Sequence, residues 1–302
     1  MSDESETRTV EHRPPEETFS LLADETRLAI LRELSDADEP LGFSDLRARV
    51  GVRDSGKFNY HLKKLLDSFV RRDEDGYELT LAGSQVVGAL LAGTYTASVS
   101  LDPIEIDGDC RECGASLVAV YEDEHAKIRC IECDTVRMSF TFPPGTIEQY
   151  DREELPLAFE RWVFSEFAQA TRGFCPNCSG RLDASLELNE DGHDRNRSLR
   201  NEVAYLRYHC DRCGNEMLAS VDTLATNHST VVAFLADRDI DLDDVPSWEL
   251  NQILDANETE VLSSDPSRVR STVGVGGEYI ALVVDDFGEV VDVERSDDRE
   301  AV

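Results

Sequence analysis

All eight cysteines of this 302-residue chain fall in four Cys-x-x-Cys pairs: Cys110 and Cys113, Cys130 and Cys133, Cys175 and Cys178, Cys210 and Cys213. No other feature restricts the fold as tightly. A tight turn between two thiolates lets both meet one ion, and two such knuckles complete a tetrahedron. The first two pairs are 16 residues apart, within the spacing of a four-thiolate zinc site, and Gly114 suits the turn. Residues 116–121, 127–129 and 136–142 read as three strands around them, the outline of a zinc ribbon. The second quartet repeats the plan across 31 residues, with 181–188 and 203–209 alternating as a hairpin whose tip, 189–201, is polar. Two structural zinc ions are expected. Ligand pairing within or between the quartets is open at this level. With four thiolates available in each quartet, His193 and His209 are expected to stay unligated.

The same cysteines speak to compartment. Disulfides are reduced in a cytosol, so paired thiols there argue for metal. A single redox-active pair would open a helix after a strand with a lowered thiol pKa. Four pairs in two ribbon frames do not fit that, which leaves an oxidation sensor that loses zinc, or a protein-binding adaptor, as the competing readings. No apolar run reaches the length of a membrane span, and Met1 to Glu17 is polar without a leader pattern, so a cytoplasmic protein is expected. Acidic residues number 63 against 30 Lys and Arg, for a formal net charge of -33. Carboxylate-rich surfaces that stay soluble in high salt are the pattern of a halophilic archaeon.

Against that background one stretch is basic. Three of the four lysines, Lys57, Lys63 and Lys64, lie within eight residues, and from Asp45 to Arg72 eight bases face three acids. Such a footprint suits phosphate neutralisation and counterion release. Apolar spacing after Pro15 predicts a helix over 16–35, and Ser44 is a plausible cap for a second helix, Asp45 to Val50, ended by Gly51. A third begins near Asp54 or Ser55, with Phe58, Leu62, Leu65 and Phe69 as its buried stripe. Lys57, Tyr60, Lys63 and Lys64 stand opposite, with Asn59 and His61 on the flanks. Residues 70–81 read as a hairpin with Arg71 and Arg72 on its first strand. Three helices and a hairpin make a winged helix-turn-helix, in which Ser55, Lys57, Asn59, Tyr60, His61, Lys63 and Lys64 would face double-stranded DNA while Arg71 and Arg72 clamp phosphates. His61 is equally well read as a packed side chain.

Two motifs carry a family resemblance. Ala23-Asp24-Glu25-Thr26-Arg27-Leu28-Ala29-Ile30-Leu31 resembles the opening helix of ArsR-type regulators, and Phe58-Asn59-Tyr60-His61-Leu62-Lys63-Lys64-Leu65 is similar to their recognition helix. The resemblance covers residues 16 to about 98. It implies a DNA-binding transcriptional regulator and a homodimer through 16–35 and 84–98, although the last helix can equally pack within its own chain. Metal-sensing members carry cysteines in the second helix region, and residues 41–53 have none, which disfavours a heavy-metal sensor. A winged helix with a zinc ribbon also resembles archaeal TFIIE-alpha-like basal factors, which act at the polymerase.

The remainder reads as an apolar connecting helix, Leu155 to Ala170, then a cysteine-free tail with helices at 230–235 and 248–254 and strands at 260–263, 269–275, 278–284 and 289–294. The helix carries too wide an apolar load for a free surface, so it is either core between the ribbons or a dimer contact. Asp286-Phe287-Gly288, Gly274-Val275-Gly276-Gly277 and the alternating aspartates 237–243 lack the context that kinase, phosphate-cradle or calcium chemistry requires. No nucleophile–base arrangement can be assembled, so reversible binding without catalysis is expected. The expected fold class is α+β: a disordered acidic tail (1–15), a winged helix-turn-helix domain (16–100), a linker at 102–109, zinc ribbon 1 (108–145), the connecting helix (146–172), zinc ribbon 2 (173–218) and a small α+β region (219–302).

Overall fold

The computed structural model describes residues 12–189, 199 and 202–297. It is a mixed α+β chain of small antiparallel sheets, divided into two units: residues up to Ala97 with 144–146, and residues 98–143 with 147–302. The tail expected over 1–15 lies mostly outside the described residues, and Pro15 already opens the first helix.

In the first unit the helix expected over 16–35 is two helices, α1 (Pro15–Ser20) and α2 (Glu25–Ser35). The break has a local cause. Asp24 is extended, and its carboxylate accepts from the Arg27 amide at 3.2 Å, so it caps a new helix instead of continuing the old one. Helix α3 (Phe43–Val50) starts two residues earlier than the Ser44 reading and stops at Gly51, whose φ of 77° supplies the left-handed turn. Helix α4 (Ser55–Leu65) is capped by Asp54, which accepts from the amides of Gly56 at 2.8 Å and Lys57 at 2.9 Å. Strands β1 (Val70–Arg72) and β2 (Tyr77–Leu79) pair antiparallel, Val70 opposite Leu79. Helix α5 (Leu81–Leu91) begins before the expected 84 because Thr80 caps it, accepting from the Gly83 amide at 3.2 Å, and it ends short of 98. One core joins these elements: Ile30, Leu31 and Leu34 from α2, Leu46 from α3, Phe58, Leu62 and Leu65 from α4, then Phe69, Val70, Tyr77 and Val87. Each such side chain taken from water contributes about 1.5–3 kcal/mol, so the expected stripe of α4 is what fixes its inward face.

The second unit repeats one plan. Strands β3 (Leu101–Asp109), β4 (Ser116–Glu122), β5 (His125–Cys130) and β6 (Val136–Thr141) form a meander in chain order. The linker expected at 102–109 is thus the edge strand β3. Pro103 is tolerated because it lies on that edge at a register shift, and Arg152 donates to the carbonyls of Asp102 and Pro103 at 3.0 and 2.9 Å. Helix α6 (Leu155–Ala170) serves two cores: Leu155 and Phe159 pack with Leu117, Ile128 and Phe142, whereas Phe167 and Ala170 pack with Leu186, Leu206 and Tyr208. Strands β7 (Asp183–Leu188), β8 (Ala204–His209) and β9 (Glu216–Ser220) repeat the first meander's last three strands.

Helices α7 (Val221–Asn227), α8 (Ser229–Ala236) and α9 (Ser247–Ile253) precede a second four-stranded meander, β10 (Ala256–Ser264), β11 (Ser267–Val275), β12 (Glu278–Asp285) and β13 (Val290–Ser296). The tail is not a free-standing appendage. Val269 and Val284 lie in the same buried cluster as Cys175, Leu206 and Cys210, the Leu186 amide donates to the Asp286 carbonyl at 3.0 Å, and Trp248 enters the first cysteine module's core. A three-stranded sheet has an apolar face that must be covered, and here the tail covers it. Asp286-Phe287-Gly288 and Gly276-Gly277 are hairpin turns, with φ of 75° at Gly288 and 63° and 81° at the glycine pair. No described helix is long and apolar enough to cross a membrane.

Candidate metal centres and a basic helix face

Each cysteine quartet closes on itself. The four Sγ atoms of Cys110, Cys113, Cys130 and Cys133 lie within 4.8 Å of one another, as do those of Cys175, Cys178, Cys210 and Cys213. Pairing between quartets, open from the sequence, is thereby excluded. The shortest approaches are 3.6 Å (Cys110 to Cys133), 3.5 Å (Cys113 to Cys130), 3.7 Å (Cys175 to Cys213) and 3.6 Å (Cys178 to Cys210). Bonds of about 2.3 Å to a tetrahedral ion set sulfurs about 3.8 Å apart, whereas a disulfide needs about 2.05 Å. The spacing fits a four-thiolate metal site and is compatible with zinc ribbons.

The four knuckles share one backbone construction. The first cysteine's amide donates to a carbonyl five residues on: Cys110 to Ala115 and Cys175 to Gly180 at 2.8 Å, Cys130 to Thr135 and Cys210 to Asn215 at 3.0 Å. The residue after the second cysteine is left-handed in every case: Gly114 (φ 72°), Asp134 (54°), Ser179 (54°) and Gly214 (74°). Sequence reading found this turn only at Gly114. In each pair the first cysteine is buried and the second is more exposed, so each site has a rooted edge and an outer edge.

Without a cation the thiols divide their protons unevenly. Hydrogen bonds from the Thr135 side chain and backbone pull Cys133 down to about 6, and the Asn215 amide pulls Cys213 down to about 6. The Ala115 amide lowers Cys113, but hydrogen bonds with Cys130 and Cys133 and burial outweigh it and push that thiol up to about 12. The Gly180 amide is likewise outweighed at Cys178, which also reaches about 12. Four adjacent sulfurs cannot all ionise unless a cation offsets their charge. His209 is exposed beside Asp211, Nε2 to Oδ1 3.5 Å, and is not in the cluster; His193 lies outside the described residues.

On α4 the expected separation of faces holds for most residues. Phe58, Leu62 and Leu65 are buried; Ser55, Lys57, Tyr60, Lys63 and Lys64 are exposed; Asn59 is half-buried. His61 is the correction. It is buried, its Nδ1 3.2 Å from Asp24 Oδ1, because position 61 borders the apolar stripe and α2 presents its capping carboxylate there. Asp24 is the residue that sequence reading missed. On the hairpin Arg71 and Arg72 are both exposed, but Arg71 donates to Glu78 at 2.6 Å and Arg72 lies over the Tyr77 ring at 5.3 Å.

The family model described as Domain of unknown function (DUF7351) matches residues 107–290, from just before the first knuckle to the start of β13. The chain belongs to the DUF7351 family. In this DUF7351 protein a second model, Domain of unknown function (DUF7347), matches residues 15–90, from the start of α1 to the end of α5 but for Leu91. No curated protein and no solved structure matches the chain.

Proposed function

We propose that this protein is a DNA-binding transcriptional regulator of ArsR-like type, whose first unit is a winged helix-turn-helix and whose two cysteine quartets are zinc ribbons. The single observation that carries the reading is the α4 face: three of the chain's four lysines stand exposed beside Tyr60, on a helix whose other side is fixed in a core. In an overwhelmingly acidic chain, such a face suits polyphosphate better than any acid-avoiding partner. Ser55, Asn59 and Tyr60 are the base-reading side chains; Lys57, Lys63 and Lys64 neutralise phosphates. The zinc ions are coordinatively closed and structural, serving the ribbons' fold and not activating water. Exposed Phe19, Leu81, Leu91 and Tyr95 on or beside α1 and α5 supply apolar surface for a homodimer. The setting is the high-salt cytoplasm of a halophilic archaeon.

The test replaces Lys57, Lys63 and Lys64 together with Glu and measures duplex affinity across a salt series. Binding should weaken strongly, and the slope of log K against log salt should flatten by about three. Unchanged affinity rejects the reading. One observation favours the basal-factor alternative: the pairing of Arg71 with Glu78, beside the exposed acids Asp73, Glu74 and Asp75, makes a poor phosphate clamp. Co-purification with RNA polymerase and footprints without a preferred sequence would select it.

A further inference from the structure

We propose that Asp24 and His61 form a positioning pair that sets the rotation of α4 and, through the His61 ring, the placement of Tyr60; the proposal rests on the DNA-binding reading above. Helix α4 is seated by Phe58, Leu62 and Leu65. The buried stripe sets which side of α4 faces the core, but apolar contact is non-directional, and a polar contact at the border narrows the rotation further. At about 100° per residue, His61 sits about 60° from Phe58 and about 40° from Lys57, at the border between the buried stripe and the lysine face. A directional contact there resists rotation better than one at the centre of the stripe.

Three polar groups converge at that border. Asp24 Oδ1 accepts from the Arg27 amide at 3.2 Å, lies 3.2 Å from His61 Nδ1 and 4.0 Å from Arg27 Nε. His61 Nδ1 and Arg27 Nε are both buried without an aligned hydrogen-bond partner, and both lie within ion-pair distance of the same carboxylate oxygen. A buried ring nitrogen left unmatched is costly, which favours the small torsion that closes His61 onto Asp24. From His61 the contact continues outward. The Tyr60 ring meets the His61 ring edge-on at 5.2 Å, and Lys64 Nζ lies 5.8 Å from the Tyr60 ring centre. The exposed Tyr60 is therefore held from within by His61 and from without by Lys64. A reading side chain placed in advance loses less freedom on binding, and this sharpens discrimination between sequences more than total affinity.

The experiment uses the full zinc-loaded chain and a random-sequence duplex library. The enriched duplex and a scrambled duplex of equal length then serve as probes for wild type, Asp24→Asn, His61→Gln, His61→Ala and the Asp24→Asn/His61→Ala double variant, with thermal melting in parallel. Asn caps a helix as well as Asp, so Asp24→Asn leaves α2 intact and replaces the carboxylate that His61 faces with a weaker, neutral acceptor. The ratio of affinities for enriched over scrambled duplex should fall about fivefold or more in Asp24→Asn and His61→Ala. The double variant should fall no further than His61→Ala, and His61→Gln, which keeps a donor, should recover part of the ratio. Lower melting temperatures with an unchanged ratio, or additive losses in the double variant, would overturn the proposal. If wild type enriches no sequence while the lysine triple variant loses duplex affinity, DNA binding stands and the positioning role fails. If wild type binds no duplex, both fall.

Discussion

Ser179 and Asp134 hold left-handed backbone at knuckle positions that Gly114 and Gly214 occupy elsewhere. A side chain there costs roughly 1–2 kcal/mol, less for Asp, whose short carboxylate bonds locally. Ser179→Gly should therefore raise stability by about 1 kcal/mol, read as a higher melting temperature at saturating zinc. Gly180 behaves in the opposite way: a Cβ there would lie 3.1 Å from Cys178 Sγ, 3.2 Å from Arg212 Cδ and 3.4 Å from Cys210 Sγ. Gly180→Ala should weaken metal retention at the second site while sparing the first, as a chelator titration would resolve. Glu166 on α6 is a third residue-scale case, since burial alone pushes its carboxyl up to about 7. A raised carboxyl pKa contributes stability below its unfolded value of about 4.3 and loses it as pH rises through about 7. Glu166→Gln should thus melt higher than wild type at pH 8, with the gap closing towards pH 5.

Helix α4 shows the same logic for a whole element. Its cap, Asp54, is held below the usual carboxylate range by the amides of Lys57 and Gly56. Asp54→Ala should destabilise the first unit, seen as a lower urea midpoint, whereas Asp54→Asn should cost little. The start and buried face of α4 were legible in the sequence because its stripe has helical period and its cap is local, but Phe69, expected on that stripe, lies past the helix end at Leu65. Helix α6 was legible for the same reason, running over the expected Leu155–Ala170. Strand β3 was not. Asp102-Pro103 and Gly108 read as linker on composition, and only pairing with β4 and the Arg152 bonds make the segment extended. The break between α1 and α2 was hidden differently, since Asp24 inside an apolar periodicity signals a cap only once its carboxylate is seen on the Arg27 amide.

At the scale of the molecule, metal dependence should divide along the two units. The first has its own core and no cysteine; the second roots Cys110 and Cys130 in one core and Cys175 and Cys210 in another. Chelation removes the ion that ties two knuckles together at the edge of each core, so it should destabilise the second unit by several kcal/mol. Calorimetry should show two transitions, of which a strong chelator lowers only one. Elemental analysis should return two zinc ions per chain, one for each quartet. Denaturation of both units together on chelation would contradict the division.

What the sequence determined by itself is local: cysteine pairs that must turn into knuckles, helix stripes of fixed period, and a lysine cluster confined to one face of one helix. These follow from spacing along the chain, and spacing survives without knowledge of the partner. Tertiary structure alone decided that each quartet closes on itself, that the tail completes the second module's core, and that His61 turns inward to Asp24. Each of those outcomes joins residues far apart in sequence, where the deciding terms are burial and mutual geometry, and neither is written in the order of residues.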